Sequence, residues 1–296
     1  MAVVSAIIVN YNAGELLQLC VQSLLNSSLA IEIIIVDNAS SDHSIAALAD
    51  IAGLKIIQNP TNIGFAAACN IGLKSAQADK LLFLNPDCSM QANAIEELVK
   101  ELCANEKTGM VGGLLVNPDG SEQGGGRRAI PTPWRSFVRV LGLNKYADRW
   151  PRLFFDFYLH NNPLPDHAVE VEAISGACML VKRAAIDNVG AWDEGYFLHC
   201  EDLDWCMRFR QKGWKIMFVP TAQIRHALGV CGRARPVFVE WHKHKGMGRF
   251  YCKFFRHQYP GILMGMVMVA VWIRFSFIAL YYTGNRLCKR LGFHLD

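Results

Sequence analysis

Leu81-Leu82-Phe83-Leu84-Asn85-Pro86-Asp87 is an apolar strand that runs directly into a carboxylate. Pro86 stops the strand, because proline has a fixed φ and no backbone N–H for the ladder. Ligands bind at the carboxyl ends of strands in parallel α/β sheets, and an acid there can hold Mg²⁺ or Mn²⁺. Asp87 is therefore a candidate metal ligand. Taken alone, an ordinary Asn-Pro-Asp turn is the simpler interpretation, so the assignment depends on the rest of the chain.

Strand-like and helix-like segments alternate around this stretch. Strands are predicted at residues 3–10, 31–37, 54–58, 80–85 and 110–116, and helices at 14–25, 42–52, 64–76 and 91–104. Further along, the pattern predicts a strand or hairpin at 169–182, a helix at 201–212 and a strand at 215–219. Strands joined by crossover helices predict an α/β fold with a mainly parallel sheet covered by helices on both faces.

The composition limits the classes of function. With 296 residues, of which 52% are hydrophobic, the chain can bury one large core or form two domains. The net charge of +4 is modest, and no zinc-finger spacing or aromatic RNA-binding motif is present, so we expect no nucleic-acid partner. Ten cysteines without a CxxC pair, and an N-terminus without a signal sequence, predict a cytoplasmic protein.

The alternation stops between residues 121 and 167. This stretch is rich in glycine and proline, and it interleaves basic and aromatic side chains: Trp134, Arg135, Phe137, Arg139, Trp150, Arg152, Phe154, Phe155 and Phe157. A loop this long in a compact chain is usually functional or mobile. We therefore expect a mobile loop with a part in function.

Two helical segments are predicted in the final third. Residues 236–257 form a basic amphipathic helix, and the apolar run 261–282 is about as long as a membrane span of roughly 20 residues. Arg274 interrupts the run and basic residues flank both of its ends, so a span would place one basic flank on the wrong side. We expect a helix at the membrane surface. A buried helix and a homodimer interface remain open, and a true span is less favoured.

Polar side chains also end the first two predicted strands. Asn10 and Asn12 follow the first strand, and Asp37 ends the second. Neighbouring strand ends deliver such groups to one edge of the sheet, where they can hold the base and ribose of a nucleoside. Asp37 is the best candidate for this contact, whereas Asp42 is interpreted as the cap of the next helix.

A further segment begins the helix predicted at 64–76. Gly64 at its start, followed by small residues, lets backbone N–H groups approach a ligand closely. Asn62 and Asn70 add side-chain hydrogen-bonding groups. Taken by themselves, small residues in a helix more often indicate tight packing against a sheet.

Six segments occur in an order and spacing that resemble the bacterial glycosyltransferases of family 2, especially their rhamnosyltransferase-like branch. They are residues 8–12 (IVNYN), 36–42 (VDNASSD), 62–65 (NIGF), 84–87 (LNPD), 175–177 (SGA) and 201–205 (EDLDW). The resemblance covers residues 3 to about 230. It implies a GT-A fold for a catalytic domain at 1–230, with 121–167 as an acceptor- or membrane-proximal loop and 231–296 as a helical C-terminal region. It also implies sugar transfer from a nucleotide sugar with inversion at the anomeric carbon.

The resemblance implies a metal site. Asn85 and Asp87 occupy the position of the family's DxD motif, with Asp87 as the metal-binding carboxylate and Asn85 as a departure from the two-acid pattern. His226 matches a histidine that completes the metal or diphosphate site. The expected ion is Mn²⁺ or Mg²⁺, and imidazole suits Mn²⁺ better.

On the nucleotide side, the resemblance assigns Asp37 to the acid that contacts the nucleotide, beside Asn12. Arg225, Arg233 and Arg235 are candidates for neutralising the leaving diphosphate, because guanidinium groups bind phosphate through two donors. Solvated surface positions are the alternative for all three arginines.

Inverting transfer needs one carboxylate to take a proton from the acceptor hydroxyl as its oxygen attacks the sugar. The resemblance assigns this role to Asp202, with Glu201 in support. Two acids at a helix N-terminus are favourable without any catalytic role, which is the alternative. The presence of the Asp87 strand end in the same chain favours the catalytic interpretation.

The resemblance places Gly176, Trp192 and Asp193 on the acceptor side. Trp192 offers a flat apolar face to a sugar ring, and an anchor in the protein core is an equally good explanation of this residue.

We therefore expect a glycosyltransferase, peripheral on the inner face of the cell membrane, that moves a sugar to a polysaccharide or lipid-linked acceptor. L-rhamnose from dTDP-rhamnose is suggested by the resemblance alone. A nucleotidyltransferase is expected to have a glycine- and lysine-rich phosphate loop near the first strand, and a dehydrogenase is expected to have a GxGxxG motif. Neither motif is present. The remaining rival is a degenerate nucleotide-sugar-binding protein, which the intact Asp87 and Asp202 disfavour.

Overall fold

The computed structural model describes residues 2–227 and 235–290, with side chains up to residue 287. Within these ranges the chain forms two compact units. Of the described residues, the first unit comprises 2–130, 157–197 and 201–227, and the second comprises 131–156, 198–200 and 235–290. Part of the long central loop thus belongs to the same unit as the C-terminal helices.

The first unit is built on a large sheet. The strands, in chain order, are β1 (Val4–Asn10), β2 (Ile31–Asp37), β3 (Leu54–Gln58), β4 (Lys80–Leu84), β5 (Cys88–Met90), β6 (Thr108–Val116), β7 (Arg127–Arg128), β8 (Val169–Glu170), β9 (Ala173–Ile174), β10 (Cys178–Lys182) and β11 (Lys215–His226). Among the described residues, the main sheet has the order β3-β2-β1-β4-β10-β6-β11-β5, with β8 beside β11, while β7 and β9 pair separately.

The main sheet is mixed. Strands β3, β2, β1 and β4 run parallel, as the alternating pattern predicted, and β6 and β11 are also parallel. Strand β10 enters between β4 and β6 in the opposite direction, and β5 and β8 lie antiparallel to β11. The sheet therefore carries more antiparallel pairing than the alternation alone indicated, because β10 follows an irregular connection and not a crossover helix.

The helices of the chain are α1 (Glu15–Leu25), α2 (Phe65–Ser75), α3 (Ala94–Ala104), α4 (Pro133–Val140), α5 (Arg183–Val189), α6 (Glu201–Gln211), α7 (Pro236–Phe255) and α8 (Gly261–Arg290). Helices α1 and α3 share a core with Ile8 of β1 and Leu82 of β4. On the opposite face, Gly72 of α2 lies against Ile7, and Trp205 of α6 against Phe83. The predicted α/β architecture with helices on both faces is confirmed.

The prediction of a helix at residues 42–52 is wrong. Only a single 3₁₀ turn forms there, at Ala46–Leu48. The polar side chains at the start of this segment are used elsewhere: Ser44 accepts a hydrogen bond from Asn10, and Asp42 accepts one from the backbone of Gly14. These contacts hold the segment as a loop that positions the end of β2.

Helix α4 forms inside the segment where regular structure was expected to stop. Thr132 caps it, accepting a hydrogen bond from the backbone N–H of Arg135, and Pro133 stands at the first helical position. Both residues are standard helix-start signals. Indole Nε1 of Trp134 then donates to the carbonyl of Leu153 at 2.8 Å, which links the start of α4 to a later part of the segment.

In the second unit, α8 presents two apolar faces. One face packs on α7, where Trp241 lies 5.0 Å from Trp272 and 5.4 Å from Phe275 between ring centroids. The other carries an exposed stripe at helical spacing: Ile262, Met266, Val269, Ile273, Phe277 and Leu280. By length and composition, one helix in the described ranges, over Gly261–Leu287, is able to cross a membrane. We call the six exposed residues the outer stripe.

Candidate functional site

The turn after β4 brings Asp87 to the end of β11. Strand β11 pairs with β5 so that His226 stands opposite Cys88. As a result, Nε2 of His226 lies 3.2 Å from Oδ1 of Asp87, and both side chains are buried. The ligand atoms of Asp87, Cys88 and His226 lie within 4.8 Å of one another. The predicted metal residues are therefore brought together.

Gln123 fixes how His226 faces this cluster. Its amide nitrogen donates to Asn117 and to the carbonyl of His226, which leaves its Oε1, 2.6 Å from Nδ1 of His226, as an acceptor. Nδ1 therefore carries a proton, and Nε2 is the ring nitrogen that faces the Asp87 carboxylate. An imidazole nitrogen whose ring is oriented by a partner on Nδ1, placed 3.2 Å from a carboxylate oxygen, is an arrangement that can bind a metal ion. The donor set fits a divalent metal ion.

The chemistry of the three groups favours the carboxylate and imidazole as ligands. Burial raises the pKa of the Cys88 thiol well above its ordinary value, and Sγ bonds to the carbonyl of Ala177 at 3.5 Å. A protonated thiol is a poor metal ligand. Asp87 and His226 together suit Mn²⁺.

A cavity of about 170 Å³ opens beside this cluster. Arg225, Asp87 and His226 all line it, and Arg225 is exposed at its rim. An arginine there adds positive charge next to the carboxylate, which suits a diphosphate. Arg233 lies outside the described residues, and Arg235 immediately precedes α7 in the second unit.

Asp37 is held by a buried network at the end of β2. Asn10 donates through Nδ2 to Oδ1 of Asp37 at 2.8 Å and to the hydroxyls of Ser40 and Ser44. Asn12 accepts from the backbone N–H of Ser41 at 2.8 Å. The two asparagines predicted to contact the nucleotide thus use their side chains to position Asp37 and its loop.

Asn62 and Gly64 shape the start of α2. Oδ1 of Asn62 accepts from Asn38 at 2.9 Å and from the backbone of Gly64 at 3.0 Å. Gly64 has φ of 90°, and a Cβ there would lie 2.7 Å from the carbonyl oxygen of Phe197. Glycine is therefore required by backbone conformation and by the close approach of Phe197.

Asn70 and Trp192 belong to the packing of the core. Asn70 donates to the carbonyl of Trp192 at 3.0 Å and accepts from its N–H at 3.1 Å. The buried Trp192 ring lies 4.1 Å from Trp205 and 5.3 Å from Phe83 between centroids. The core-anchor explanation of Trp192 is the one observed, which corrects its assignment as a sugar platform, and Asn70 braces its loop. Asp193 accepts a turn hydrogen bond from Gly195.

Asp202 stands in the first turn of α6, where three groups orient it. Its Oδ2 accepts from the backbone N–H of Gly176 at 3.2 Å and forms an ion pair with Arg128, and its Oδ1 accepts from its neighbour Leu203. His199 and Cys200, just before the helix, have φ of 67° and 69°. Left-handed conformation at two successive non-glycine residues is strained, and such strain is concentrated at functional sites.

A short segment joins the two carboxylate sites. Asn85 donates its backbone N–H to the carbonyl of Ala177 at 2.9 Å, and the adjacent Gly176 bonds to Asp202 at 3.2 Å. A Cβ on Gly176 would lie 3.2 Å from Cβ of Asp202, so the glycine allows this approach. Residues 175–177 thus place Asp202 and the Asp87 turn along one edge of the sheet.

Glu201 lies beside Asp202 in a buried position. Burial, together with the neighbouring Asp202 carboxylate, raises the pKa of Glu201 to about 8, against the opposing effect of Arg128. Among the described residues, its Oε2 has no hydrogen-bond partner. The raised pKa favours the protonated form of Glu201 at neutral pH.

Because the folded pKa of Glu201 is raised from 4.5 to about 8, its contribution to stability is fully present below pH 4.5 and is lost as pH rises to about 8. We expect Glu201→Gln to flatten the fall in melting temperature over this range. Thermal melts from pH 4.5 to 8 measure the effect, with the exposed Glu106→Gln as the control. A parallel fall in wild type and Glu201→Gln would contradict the assignment.

Sequence reasoning missed Gln123 and Arg128. Neither residue carries a local signal, because both lie within two positions of the glycine-rich segment 124–126, whose pattern indicates only the start of a loop. Their partners, His226 and Asp202, are distant in sequence. Only the pairing of β7 with β9 and of β6 with β11 brings them together.

Comparison with known proteins agrees with this geometry. Residues 5–189 match the model of glycosyl transferase family 2. The chain is 28% identical over 237 residues to the N-acetylglucosaminyl-diphospho-decaprenol L-rhamnosyltransferase of Mycobacterium tuberculosis, with 76% of each chain covered. It is 24% identical over 230 residues to the dTDP-rhamnosyl transferase RfbF of Shigella flexneri, covering 74% of this chain and 67% of that one.

Among solved structures, the chain is similar to the mannosyltransferase PcManGT from Pyrobaculum calidifontis in complex with GDP-Man and Mn²⁺. The TM-score is 0.58 at 15% identity, with 99% of this chain and 76% of that chain covered. This similarity confirms the GT-A fold. With the matched family, the rhamnosyltransferase relatives and the fold in agreement, this chain is a glycosyltransferase and belongs to glycosyl transferase family 2.

Proposed function

We propose that the chain is an inverting, metal-dependent glycosyltransferase that moves L-rhamnose from dTDP-rhamnose to a lipid-linked glycan in the cytoplasm. The observation that carries the proposal is the placement of the Asp87–His226 cation site and Asp202 along one strand-end segment, residues 175–177. Asp87 and His226 serve the leaving diphosphate, and Asp202 serves the attacking hydroxyl. The sugar and the acceptor are suggested by the names of the two rhamnosyltransferase relatives.

On the donor side, Asp87 and His226 would hold Mn²⁺ or Mg²⁺, which supplies positive charge to the departing diphosphate. Arg225 lines the same cavity and adds a guanidinium for phosphate oxygens. Asp37, held by Asn10, is the residue available for the nucleoside. Manganese is favoured by the imidazole ligand and by its presence in the similar mannosyltransferase structure.

On the acceptor side, Asp202 is the proton acceptor. Arg128 and the N–H of Gly176 hold its carboxylate, and the raised pKa of the neighbouring Glu201 favours the protonated form of that side chain. A carboxylate held at this place supports direct displacement, in which the acceptor oxygen attacks the anomeric carbon as the diphosphate leaves. Direct displacement inverts the anomeric configuration.

A donor screen tests the proposal. Purified full-length protein with Mn²⁺ is incubated with dTDP-rhamnose, UDP-N-acetylglucosamine or GDP-mannose and an N-acetylglucosaminyl-diphospholipid acceptor, and the product linkage is determined by NMR. We expect transfer from dTDP-rhamnose with inverted configuration. Transfer from another donor alone would reject the rhamnose assignment, retention would reject the mechanism, and donor binding without transfer would favour a degenerate binding protein.

We expect Gln123→Ala to weaken Mn²⁺ binding by about tenfold or more, because the His226 imidazole loses the partner that orients it. Mn²⁺ titration followed by electron paramagnetic resonance measures the effect. Gln91→Ala is the matched control, since the exposed Gln91 pairs with Gln223 on the same strand as His226. Equal Mn²⁺ affinity in the two variants would show that Gln123 does not support a metal ligand.

We further propose that α8 lies on the inner surface of the cell membrane. The outer stripe offers apolar side chains to lipid. Exposed basic residues for anionic headgroups lie on α7 and at its C-cap: Lys245, Arg249, Lys253 and Arg256. Arg274 is also exposed on α8, which suits a helix with one face toward water.

Charge placed in the outer stripe should release the protein from lipid. We expect Phe277→Glu combined with Leu280→Glu to abolish co-flotation with vesicles containing phosphatidylglycerol. Leu25→Glu is the matched control, because Leu25 is an exposed leucine of the first unit. If the double variant floats like the control, the membrane proposal is wrong. A loss of dimers in light scattering without loss of flotation would instead identify a subunit interface.

A further inference from the structure

Residues 131–156 of the second unit carry exposed apolar side chains along most of their length. Seven large ones are exposed, and four of the seven are aromatic: Trp134, Phe137, Val140, Leu141, Tyr146, Trp150 and Leu153. Single apolar residues on a surface need no explanation, whereas a group of them marks a surface for another molecule. We call these seven residues the aromatic surface.

Contacts within the segment fix the rings of the aromatic surface. Trp134 stacks on Phe137 with 5.6 Å between ring centroids, and Tyr146 lies 6.3 Å from Trp150. The indole N–H of Trp134 donates to the carbonyl of Leu153 at 2.8 Å, which joins α4 to the residues that follow Trp150. The exposed rings are therefore ordered by one another.

The segment is anchored to the rest of the second unit on its other side. The hydroxyl of Ser136 lies 2.7 Å from that of Tyr251 on α7, and Val138 is fully buried. Trp134 and Tyr259 line one groove of about 600 Å³, and α8 begins two positions after Tyr259, at Gly261. The aromatic surface therefore lies beside the start of the helix that carries the outer stripe.

Positive charge is interleaved with the exposed rings. Lys145, Arg149 and Arg152 are all exposed. The ammonium of Lys145 lies 5.1 Å from the ring centroid of Tyr146, and the guanidinium of Arg149 lies 4.7 Å from that of Trp150. With five basic and two acidic side chains, residues 131–156 have a net charge of +3 (5 − 2). Their charge is therefore complementary to an anionic partner.

This combination of side chains fits a lipid surface better than a protein partner. Trp and Tyr are enriched at the depth of the headgroups, and Lys and Arg are attracted to anionic lipids. Protein interfaces, in contrast, are depleted in Lys. We propose that the aromatic surface, with Lys145, Arg149 and Arg152, binds the headgroup region of an anionic lipid bilayer.

The contact goes beyond the proposed function, because it depends on neither the sugar donor nor the acceptor. It gives the second unit a lipid-binding surface in addition to the outer stripe. Two linked contacts with one bilayer bind far more tightly than either contact alone. Weakening either of them is therefore expected to release the protein from vesicles.

A charge variant of the full-length protein tests the proposal, with sedimentation of vesicles made from phosphatidylglycerol and phosphatidylcholine. We expect Lys145→Gln/Arg149→Gln/Arg152→Gln to bind about 100-fold more weakly, at about fivefold for each basic side chain near the lipid. The matched control removes three exposed lysines of the first unit, in Lys74→Gln/Lys100→Gln/Lys107→Gln. Equal affinities of the two triple variants would overturn the proposal.

Fluorescence quenching tests whether the rings enter the lipid. Brominated phosphatidylcholine in the same vesicles quenches indoles that reach the headgroup region. We expect Trp150→Phe to reduce the quenched part of the emission, whereas Trp214→Phe, which removes a half-buried indole of the first unit, should leave it unchanged. Equal quenching in wild type and Trp150→Phe would show that this ring stays in water, and the proposal would fail.

These outcomes are distinguishable from failure of the other proposals, because vesicle binding is measured without a nucleotide sugar. If wild type transfers no sugar, yet the basic triple variant leaves the vesicles, the function fails and the aromatic surface stands. If Phe277→Glu/Leu280→Glu loses binding while the basic triple variant keeps it, α8 alone contacts lipid. If Phe137→Glu converts dimers to monomers in light scattering with unchanged vesicle affinity, the surface is a subunit interface. Either of the last two results would overturn the proposal.

Discussion

Asp202→Asn is expected to lower kcat by roughly 10²- to 10⁴-fold while the KM for the nucleotide sugar stays within about twofold. Asparagine keeps the shape of the side chain and its contact with the N–H of Gly176, but it cannot take a proton from the acceptor hydroxyl. The loss therefore falls on the chemical step. Initial rates at varied donor and saturating acceptor measure it.

The control for this variant is Asp187→Asn, an exposed aspartate on α5. Removing the negative charge of Asp202 also leaves Arg128 without its ionic partner, so Arg128→Gln/Asp202→Asn is measured alongside to separate that effect. Thermal melts report whether each protein is folded. A weakened donor affinity with unchanged kcat would instead assign Asp202 to the nucleotide site.

Asp87→Ala should reduce transfer about 10³-fold, corresponding to about 4 kcal/mol of lost stabilisation of the leaving diphosphate. The fold should survive, because Asp87 follows β4 in a turn at the sheet edge and contributes little to the apolar core. Mn²⁺ should no longer raise the melting temperature of the variant. That readout does not depend on turnover.

Asp79→Ala is the matched control, since the exposed Asp79 stands at the opposite end of the same strand. It should keep both its activity and its thermal response to Mn²⁺. Near-normal transfer by Asp87→Ala at saturating donor and Mn²⁺ would rule out a metal role for this carboxylate.

Where local sequence decided local structure, prediction succeeded. Strands β1, β2 and β4 are apolar runs ended by polar residues, and the parallel edge they form carries Asp37 and Asp87 as expected. The cation site could be predicted because the family resemblance linked Asp87 to His226, 139 positions away (226 − 87). Spacing alone gives no sign of that contact.

Where competing contacts decided, prediction failed. The residues of segment 42–52 are compatible with a helix. However, Asn10 donates a hydrogen bond to the hydroxyl of Ser44, and the segment forms a loop. The flat ring of Trp192 is of a kind that can stack on a sugar. In the fold, however, it packs against Trp205 and Phe83 in the core. Gln123 acts only through His226, so no pattern within its own segment could have indicated it.

The three-residue segment 175–177 has a consequence for how this protein can change over evolutionary time. Surface loops ordinarily tolerate insertions and deletions. Here one residue added between Gly176 and Ala177 would keep the bond of Ala177 to Asn85 but displace Gly176 from Asp202. The distance between the Asp87 turn and Asp202 would therefore change. Both the length of this segment and the glycine at position 176 are therefore constrained. Divergence of acceptor preference is therefore expected through loops elsewhere in the chain.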